Sequence, residues 1–222
     1  MKNDCIFTRP ENEIGRLSGI VTVPSDFDKT KETLPVIVFL HGSGEAGDGS
    51  EAQVQRVRAH GIPKYFGTDA DYKGVRVITV SPQCPENVIW DDIPYQLKDY
   101  IDAAVAEFGG DKTRVSLTGL SMGGFGTWSQ ACLFPDAYVR LAPICGGGVS
   151  WRVDDRFRDK EIRVFHSVDD DSVPFDFSVI MVKQAVAAGA DVEFTTYTRE
   201  GHGCWNRAYE QTDLIEWLAF AL

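Results

Sequence analysis

The stretch "RVSLTGLSMGGFGTWSQACLFP", Arg114–Pro135, decides the fold. Its first part, up to Ser121, is a β-rich apolar run. Its last part, from Gly124, has the composition of a helix. Between them stands a G-x-S-x-G turn, Gly119 to Gly123. A serine on a tight strand-to-helix turn projects its hydroxyl above the edge of a sheet. Gly119 and Gly123 let neighbouring backbone pass without a Cβ clash. A helix N-terminus beginning near Met122 favours negative charge beside the serine. A bare G-x-S-x-G is common by chance, and the strand before it and the helix after it make Ser121 a candidate nucleophile.

Outward from this turn, short β-rich runs alternate with longer amphipathic ones. "VIVFLHG" (Val36–Gly42), "VRVITVSP" (Val75–Pro82), "YVRLAPICGGG", "IRVFHSV" and "DVEFTTYT" read as strands. Continuous rather than alternating apolar runs imply burial on both faces, as in a parallel sheet covered by helices. "IPYQLKDYIDAAVAEFG" (Ile93–Gly109) carries helix-spaced apolar residues and ends on a glycine C-cap signal. "VPFDFSVIMVKQAVAAG" (from Val173) and "CWNRAYEQTDLIEWLAFAL" (from Cys204) read as further helices, and "GRLSGIVTVPSDF" as an antiparallel edge strand. The alternation predicts one α/β domain over residues 1–222, with a mostly parallel sheet and helices on both faces.

Composition narrows the function. The 222 residues are 43% apolar and 25% charged, enough for a core without disulfide or metal staples. A net charge of -11 disfavours nucleic acid and anionic membranes as partners. Five cysteines, Cys5, Cys84, Cys132, Cys145 and Cys204, form an odd set without a C-x-x-C pair. Reduced thiols in a cytoplasm are the expected state. The first fifteen residues hold no apolar core of a secretory signal. No apolar run approaches the ~18 residues of a membrane span.

A serine hydroxyl needs a base. The histidines are His41, His60, His166 and His202. Serine hydrolases built on this turn place the acid and then the histidine after the nucleophile, which leaves His166 and His202. His166 ends an apolar strand, as a structural residue would. His202 lies in "REGHGCW", a glycine-flanked loop from which an imidazole can reach over the sheet edge, and is the candidate base. The acid must then fall between Ser121 and His202, and "HSVDDDSVP" offers Asp169, Asp170 and Asp171. A metal reading of that run is weak, because no second ligand cluster accompanies it. "FLHGSGEAG" (Phe39–Gly47) suits an oxyanion hole, in which an amide of Ser43 or a neighbour would join that of Met122. A phosphate loop is the rival reading, but the Gly-Lys-Ser/Thr that should follow is missing.

Together "FLHGSGE", "SPQCPENVIW", "GLSMGG", "FHSVDDDSVP" and "EGHGCWNRAY" resemble the α/β-hydrolase superfamily. The likeness is to its compact carboxylesterases: the phospholipase/carboxylesterase, dienelactone-hydrolase-like and polyhydroxybutyrate-depolymerase-like "predicted peptidase" enzymes. It runs from about Val36 onward. It implies an α/β-hydrolase fold, and a triad of Ser121, Asp170 and His202 with Ser43 and Met122 as oxyanion amides. It further implies no cofactor and an ester substrate, small or polymer-attached. Where the family has glycine after the histidine of His-Gly-x-x-Asp, this chain has Ser167. About 16 residues separate the strand ending at Cys145 from the one starting at Ile162, too few for a large lid domain. Trp90 and Trp205, at loop ends, are the candidate substrate-binding residues, with Trp151 a weaker one. Trp128 and Trp217, inside helical patterns, read as core. A peptidase or thioesterase with the same triad is the alternative enzyme reading. A silent hydrolase-fold binding protein is the non-enzymatic one.

Overall fold

The computed structural model describes residues 4–8, 17–67 and 71–220. Its strands are β1 (Asp4–Thr8), β2 (Ser18–Thr22), β3 (Leu34–Leu40), β4 (Asp71–Tyr72), β5 (Val75–Arg76), β6 (Ile78–Pro82), β7 (Gly110–Leu120), β8 (Arg140–Ile144), β9 (Glu161–Ser167) and β10 (Asp191–Tyr197). Its helices are α1 (Glu51–Val54), α2 (Gly61–Phe66), α3 (Pro94–Phe108), α4 (Met122–Leu133), α5 (Asp176–Ala187), α6 (Trp205–Glu210) and α7 (Leu214–Leu218). Eight strands form one sheet in the order β1-β2-β6-β3-β7-β8-β9-β10, and β4 pairs with β5 apart from it. The pairs β6/β3, β3/β7, β7/β8, β8/β9 and β9/β10 are parallel, while β1/β2 and β2/β6 are antiparallel.

The central apolar strands β3, β6 and β8 are buried on both faces, while β10, at the sheet edge, is mostly exposed or half-buried. All seven residues of β3 are buried. Because strand side chains alternate, Val36, Val38 and Leu40 join a core with Leu97 of α3, Trp128 of α4 and Met181 of α5. Ile37 and Phe39 join the opposite core with Ile62 of α2, Tyr209 of α6 and Leu218 of α7. Each such apolar side chain contributes about 1.5–3 kcal/mol when buried. The sheet is therefore clamped from two sides, and its C-terminal strand ends emerge together at one edge.

Four expectations are corrected. β2 is antiparallel but is not an edge, since β1 pairs outside it. The run from Val75 divides into β5, which pairs with β4 apart from the main sheet, and β6. The helix expected from Val173 begins only at Asp176. The long helix expected from Cys204 breaks between α6 and α7. The Thr212 hydroxyl donates to the Ala208 carbonyl (2.6 Å) and accepts the Leu214 amide (3.1 Å), so it replaces the helix ladder locally.

Helix α3 shows how local sequence sets a boundary. Pro94 opens it, and Gly109 closes it in the left-handed region at φ 77°. A Cβ on Gly109 would lie 2.5 Å from Cβ of Lys29. Gly109→Ala should therefore destabilise the protein by about 1–2 kcal/mol, read as a lower urea midpoint at unchanged slope.

Candidate active site

Ser121 sits between β7 and α4 with φ 53° and ψ -119°, a backbone conformation that costs a non-glycine residue about 1–3 kcal/mol. Its amide donates to the Ile144 carbonyl (3.0 Å) and its own carbonyl accepts the Phe125 amide (3.1 Å), so strand β8 and the first turn of α4 hold it in place. The flanking glycines are steric necessities. A Cβ on Gly123 would lie 1.8 Å from the Leu40 carbonyl oxygen, and one on Gly119 would lie 2.3 Å from the Gly123 oxygen.

The structure brings Ser121, His202 and Asp170 together. His202 Nε2 lies 2.8 Å from Ser121 Oγ, and His202 Nδ1 lies 2.8 Å from Asp170 Oδ2. His202 is carried by a short turn, Gly201–Gly203, just after β10, and Asp170 by the turn after β9. The Asp170 side chain is fully buried, while that of His202 stays 22% exposed and so within reach of a ligand. The second carboxylate oxygen, Oδ1, accepts the amides of Ser172 and Val173, each at 2.9 Å. Burial pushes the Asp170 carboxyl up, but hydrogen bonds from His202 and from the Val173 and Ser172 amides outweigh it and hold it below its ordinary value. With the carboxylate ionised, Nδ1 of His202 carries the hydrogen and Nε2 is left to accept from the serine.

Met122 follows the serine in the chain, and Gly42, the residue before Ser43, approaches it from the end of β3. Met122 is the first residue of α4, where helix amides have no intrahelical acceptor. Ser43 opens a 3-10 turn, Ser43–Glu45, directly after Gly42, and a Cβ on Gly42 would lie 3.7 Å from Cβ of Ser121. His41, which is fully buried, organises this turn. Burial pushes its imidazole down to about 4, so it is neutral. Its Nε2 accepts the Cys84 amide (2.8 Å), which leaves Nδ1–H to donate to the Gly42 carbonyl (2.5 Å). A trans peptide sets its C=O and N–H on opposite sides. Pulling the Gly42 carbonyl toward His41 therefore turns the Ser43 amide the other way.

The remaining candidates divide. Trp90 is corrected: it is 1% exposed, its Nε1–H donates to the His41 carbonyl (3.0 Å), and it braces the turn from inside the core, so it lines no open pocket. Trp205 packs edge-on against the His202 ring, centroids 5.4 Å apart, and also against His60 at 5.5 Å. Trp151 is 83% exposed, whereas Trp128 and Trp217 are core. Asp169 accepts from the Ser167 hydroxyl and from the Gly201 amide (3.2 Å) and so ties the turn after β9 to the His202 turn. Ser167, in the family's glycine position, also accepts the Glu200 amide (3.3 Å). Among the described residues the Asp171 carboxylate accepts from the Ser172 hydroxyl (3.1 Å), while Asp170 takes the nearby amides. Reading the sequence missed the role of His41 and took His166 for a structural residue without seeing that it meets Asp170. The signal for both was a histidine ending an apolar strand. Cys145 lies with Asp170 and His202 within 4.8 Å, the one such histidine, cysteine and carboxylate cluster among the described residues. The Asp170 and His202 atoms in it already bond to each other, which makes Cys145 part of the floor beneath them.

Residues 149–222 match the prolyl oligopeptidase family (Peptidase_S9). No curated protein matches the chain. Among solved structures, a thermostable esterase is 31% identical with a TM-score of 0.80, over 97% of this chain and 62% of that one. The chain thus spans 62% of the length of that esterase. Esterase 2 of Thermogutta terrifontis, in a tabun-phosphoramylated form, is 16% identical with a TM-score of 0.74, over 100% and 95% of the two chains. A ferulic acid esterase is 15% identical with a TM-score of 0.69, over 100% of both. These likenesses confirm the fold that the motifs implied.

The strained φ at Ser121 makes a stability prediction that does not depend on chemistry. Ser121→Gly should be more stable than Ser121→Ala by about 1 kcal/mol, seen as a higher Tm in matched melts, since glycine alone relaxes at this φ and ψ. Equal melting temperatures would argue against stored strain.

Proposed function

We propose that this chain, an α/β-hydrolase, is a serine carboxylesterase working through an acyl-enzyme. The observation that carries the reading is the unbroken line of hydrogen bonds from Ser121 Oγ through His202 to Asp170, 2.8 Å at each step. In this mechanism His202 Nε2 takes the Ser121 hydroxyl proton as Oγ attacks the ester carbonyl carbon. Asp170 holds the Nδ1–H tautomer and stabilises the imidazolium that forms. The amides of Ser43 and Met122 receive the negative charge developing on the carbonyl oxygen. Collapse of the tetrahedral intermediate expels the alcohol, which takes its proton from His202. Water, activated by the same imidazole, then attacks the acyl-enzyme and releases the acid. No step calls for a cofactor.

The short connection between β8 and β9 supports the substrate class. Among the described residues that stretch carries two 3-10 turns, Ser150–Arg152 and Asp155–Phe157, too little for a large lid over the serine. An uncovered cleft suits small or polymer-attached esters better than buried triglycerides. Buried thiols at Cys84, Cys132, Cys145 and Cys204 are compatible with a reducing compartment, and we place the protein in the cytoplasm. No helix among the described residues is long and apolar enough to cross a membrane. A peptidase reading is supported by the prolyl oligopeptidase family match over residues 149–222. A silent binding protein is disfavoured, because such a protein has no need of the three-residue line.

Short p-nitrophenyl esters should be hydrolysed and aminoacyl p-nitroanilides left intact. Preferential anilide cleavage would make the chain a peptidase. Ser121→Ala should lower kcat by about 10⁶ with the fold retained, and should abolish labelling by a fluorophosphonate. Asp170→Asn should cost on the order of 10⁴ in kcat through the wrong histidine tautomer. Iodoacetamide should spare activity. Cys204 is fully buried, and burial together with contact from Cys204 pushes the Cys145 thiol up.

A further inference from the structure

A second imidazole reaches the buried carboxylate. His166, in β9 and fully buried, places Nε2 3.1 Å from Asp170 Oδ2 and 3.0 Å from the Val173 carbonyl oxygen. Both partners are acceptors, so Nε2 carries a hydrogen. On the far side of the ring, Nδ1 lies 2.8 Å from Ser178 Oγ of α5, which lies 2.9 Å from the Gly146 carbonyl after β8. The same oxygen, Oδ2, also accepts from His202 Nδ1 at 2.8 Å. One oxygen of Asp170 thus serves two histidines, while the other serves two backbone amides.

We propose that His166 is a positioning residue of the triad: its Nε2–H fixes the Asp170 carboxylate and takes a share of the charge that would otherwise act on His202 alone. The inference rests on the triad reading given above. Four donors on one buried carboxylate leave it a single orientation, with Oδ2 toward His202. They also divide its negative charge, since a hydrogen bond to an ionised acceptor draws charge toward each donor. Burial lowers the His166 imidazole more than the Val173 carbonyl and Asp170 raise it. The other groups around this pair are Cys145 from the end of β8, Cys204 beside the His202 turn, and Asp169, which accepts the Gly201 amide on that turn. Glu200, which accepts from Arg207 (3.0 Å), stands at the surface beyond them. None of these gives Asp170 a hydrogen; among the described residues its donors are His166, His202 and the amides of Ser172 and Val173.

The test is the pH profile of kcat/KM on a short p-nitrophenyl ester for the wild type, His166→Leu and His166→Gln. With the Leu variant His202 has the whole carboxylate, and the acid limb should move up by about one pH unit. Gln keeps an N–H donor and should return the limb most of the way toward the wild-type position. A residue needed only for packing would lower Tm and kcat and leave the limb in place, so an unmoved limb in a folded Leu variant overturns the proposal. Should the Leu variant not fold, wild-type protein labelled with ¹⁵N at histidine decides the matter without substrate. The His166 Nε2–H resonance should shift with the midpoint at which His202 titrates, and indifference to that titration overturns the proposal. A wild type with no ester turnover would instead overturn the functional reading, and the resonance coupling would still be measurable.

Discussion

Everything at the candidate site hangs on how closely helix α4 approaches strand β3. The Leu40 carbonyl occupies the space that a side chain on Gly123 would need, with 1.8 Å between that oxygen and the position of a Cβ. Only two backbones without an intervening side chain can pack at this distance. The approach forces the chain to reverse from strand to helix within one residue, and Ser121 absorbs the turn at φ 53°. The hydroxyl is left standing above the sheet edge beside unsatisfied helix amides. Strain at the serine is thus the consequence of tight packing below it, and the two buried cores on either side of β3 hold that packing in place.

The remaining groups reach the serine because parallel strands end at a common edge. Gly42 and Ser43 follow β3, Asp170 follows β9 and His202 follows β10. Residues 81 positions apart in the chain, Ser121 and His202, are therefore hydrogen-bonded neighbours. This is the general placement of ligand sites in parallel α/β sheets, at the carboxyl ends of the strands. Two of the candidate groups, the Gly42–Ser43 peptide and Asp170, are in turn held from behind by buried polar residues. His41 turns the Gly42–Ser43 peptide, Trp90 braces His41, and His166 grips Asp170. Such supports limit the freedom of the groups they touch, which an electrostatic site needs if its dipoles are to be aligned before reaction.

The fold was largely legible in the sequence. Apolar runs marked β3, β6, β7, β8, β9 and β10 as strands, and Gly109 marked the end of α3; the expected burial on both faces fails for β10, which lies at the sheet edge and is mostly exposed or half-buried. Where the reading failed, a contact distant in sequence or a competing side chain was responsible. β1 could not be found from its five residues, because it is stabilised by pairing with β2. The break between α6 and α7 depends on one threonine hydroxyl that competes with the helix ladder. Trp90 looked like a pocket residue because it ends a loop, and only the surrounding core shows that it is sealed.

At the site, residue type and chain order were enough to nominate Ser121 and His202, since a serine on a glycine-framed turn and a histidine on a late glycine-flanked loop are local signals. The family likeness selected Asp170 from three adjacent aspartates. Tertiary structure alone shows how the three differ. Asp170 is buried with four donors, Asp169 ties two loops together at the surface, and Asp171 accepts from Ser172. It likewise separates the histidines that end strands from the one that meets the serine. Sequence by itself marked the main strands and helices of the α/β alternation and nominated the candidate reactive groups, because periodicity and turn chemistry are local. Which carboxylate meets which imidazole was decided by the packing of β8, β9, β10 and α5, because hydrogen bonding depends on distances of about 3 Å that no spacing along the chain specifies.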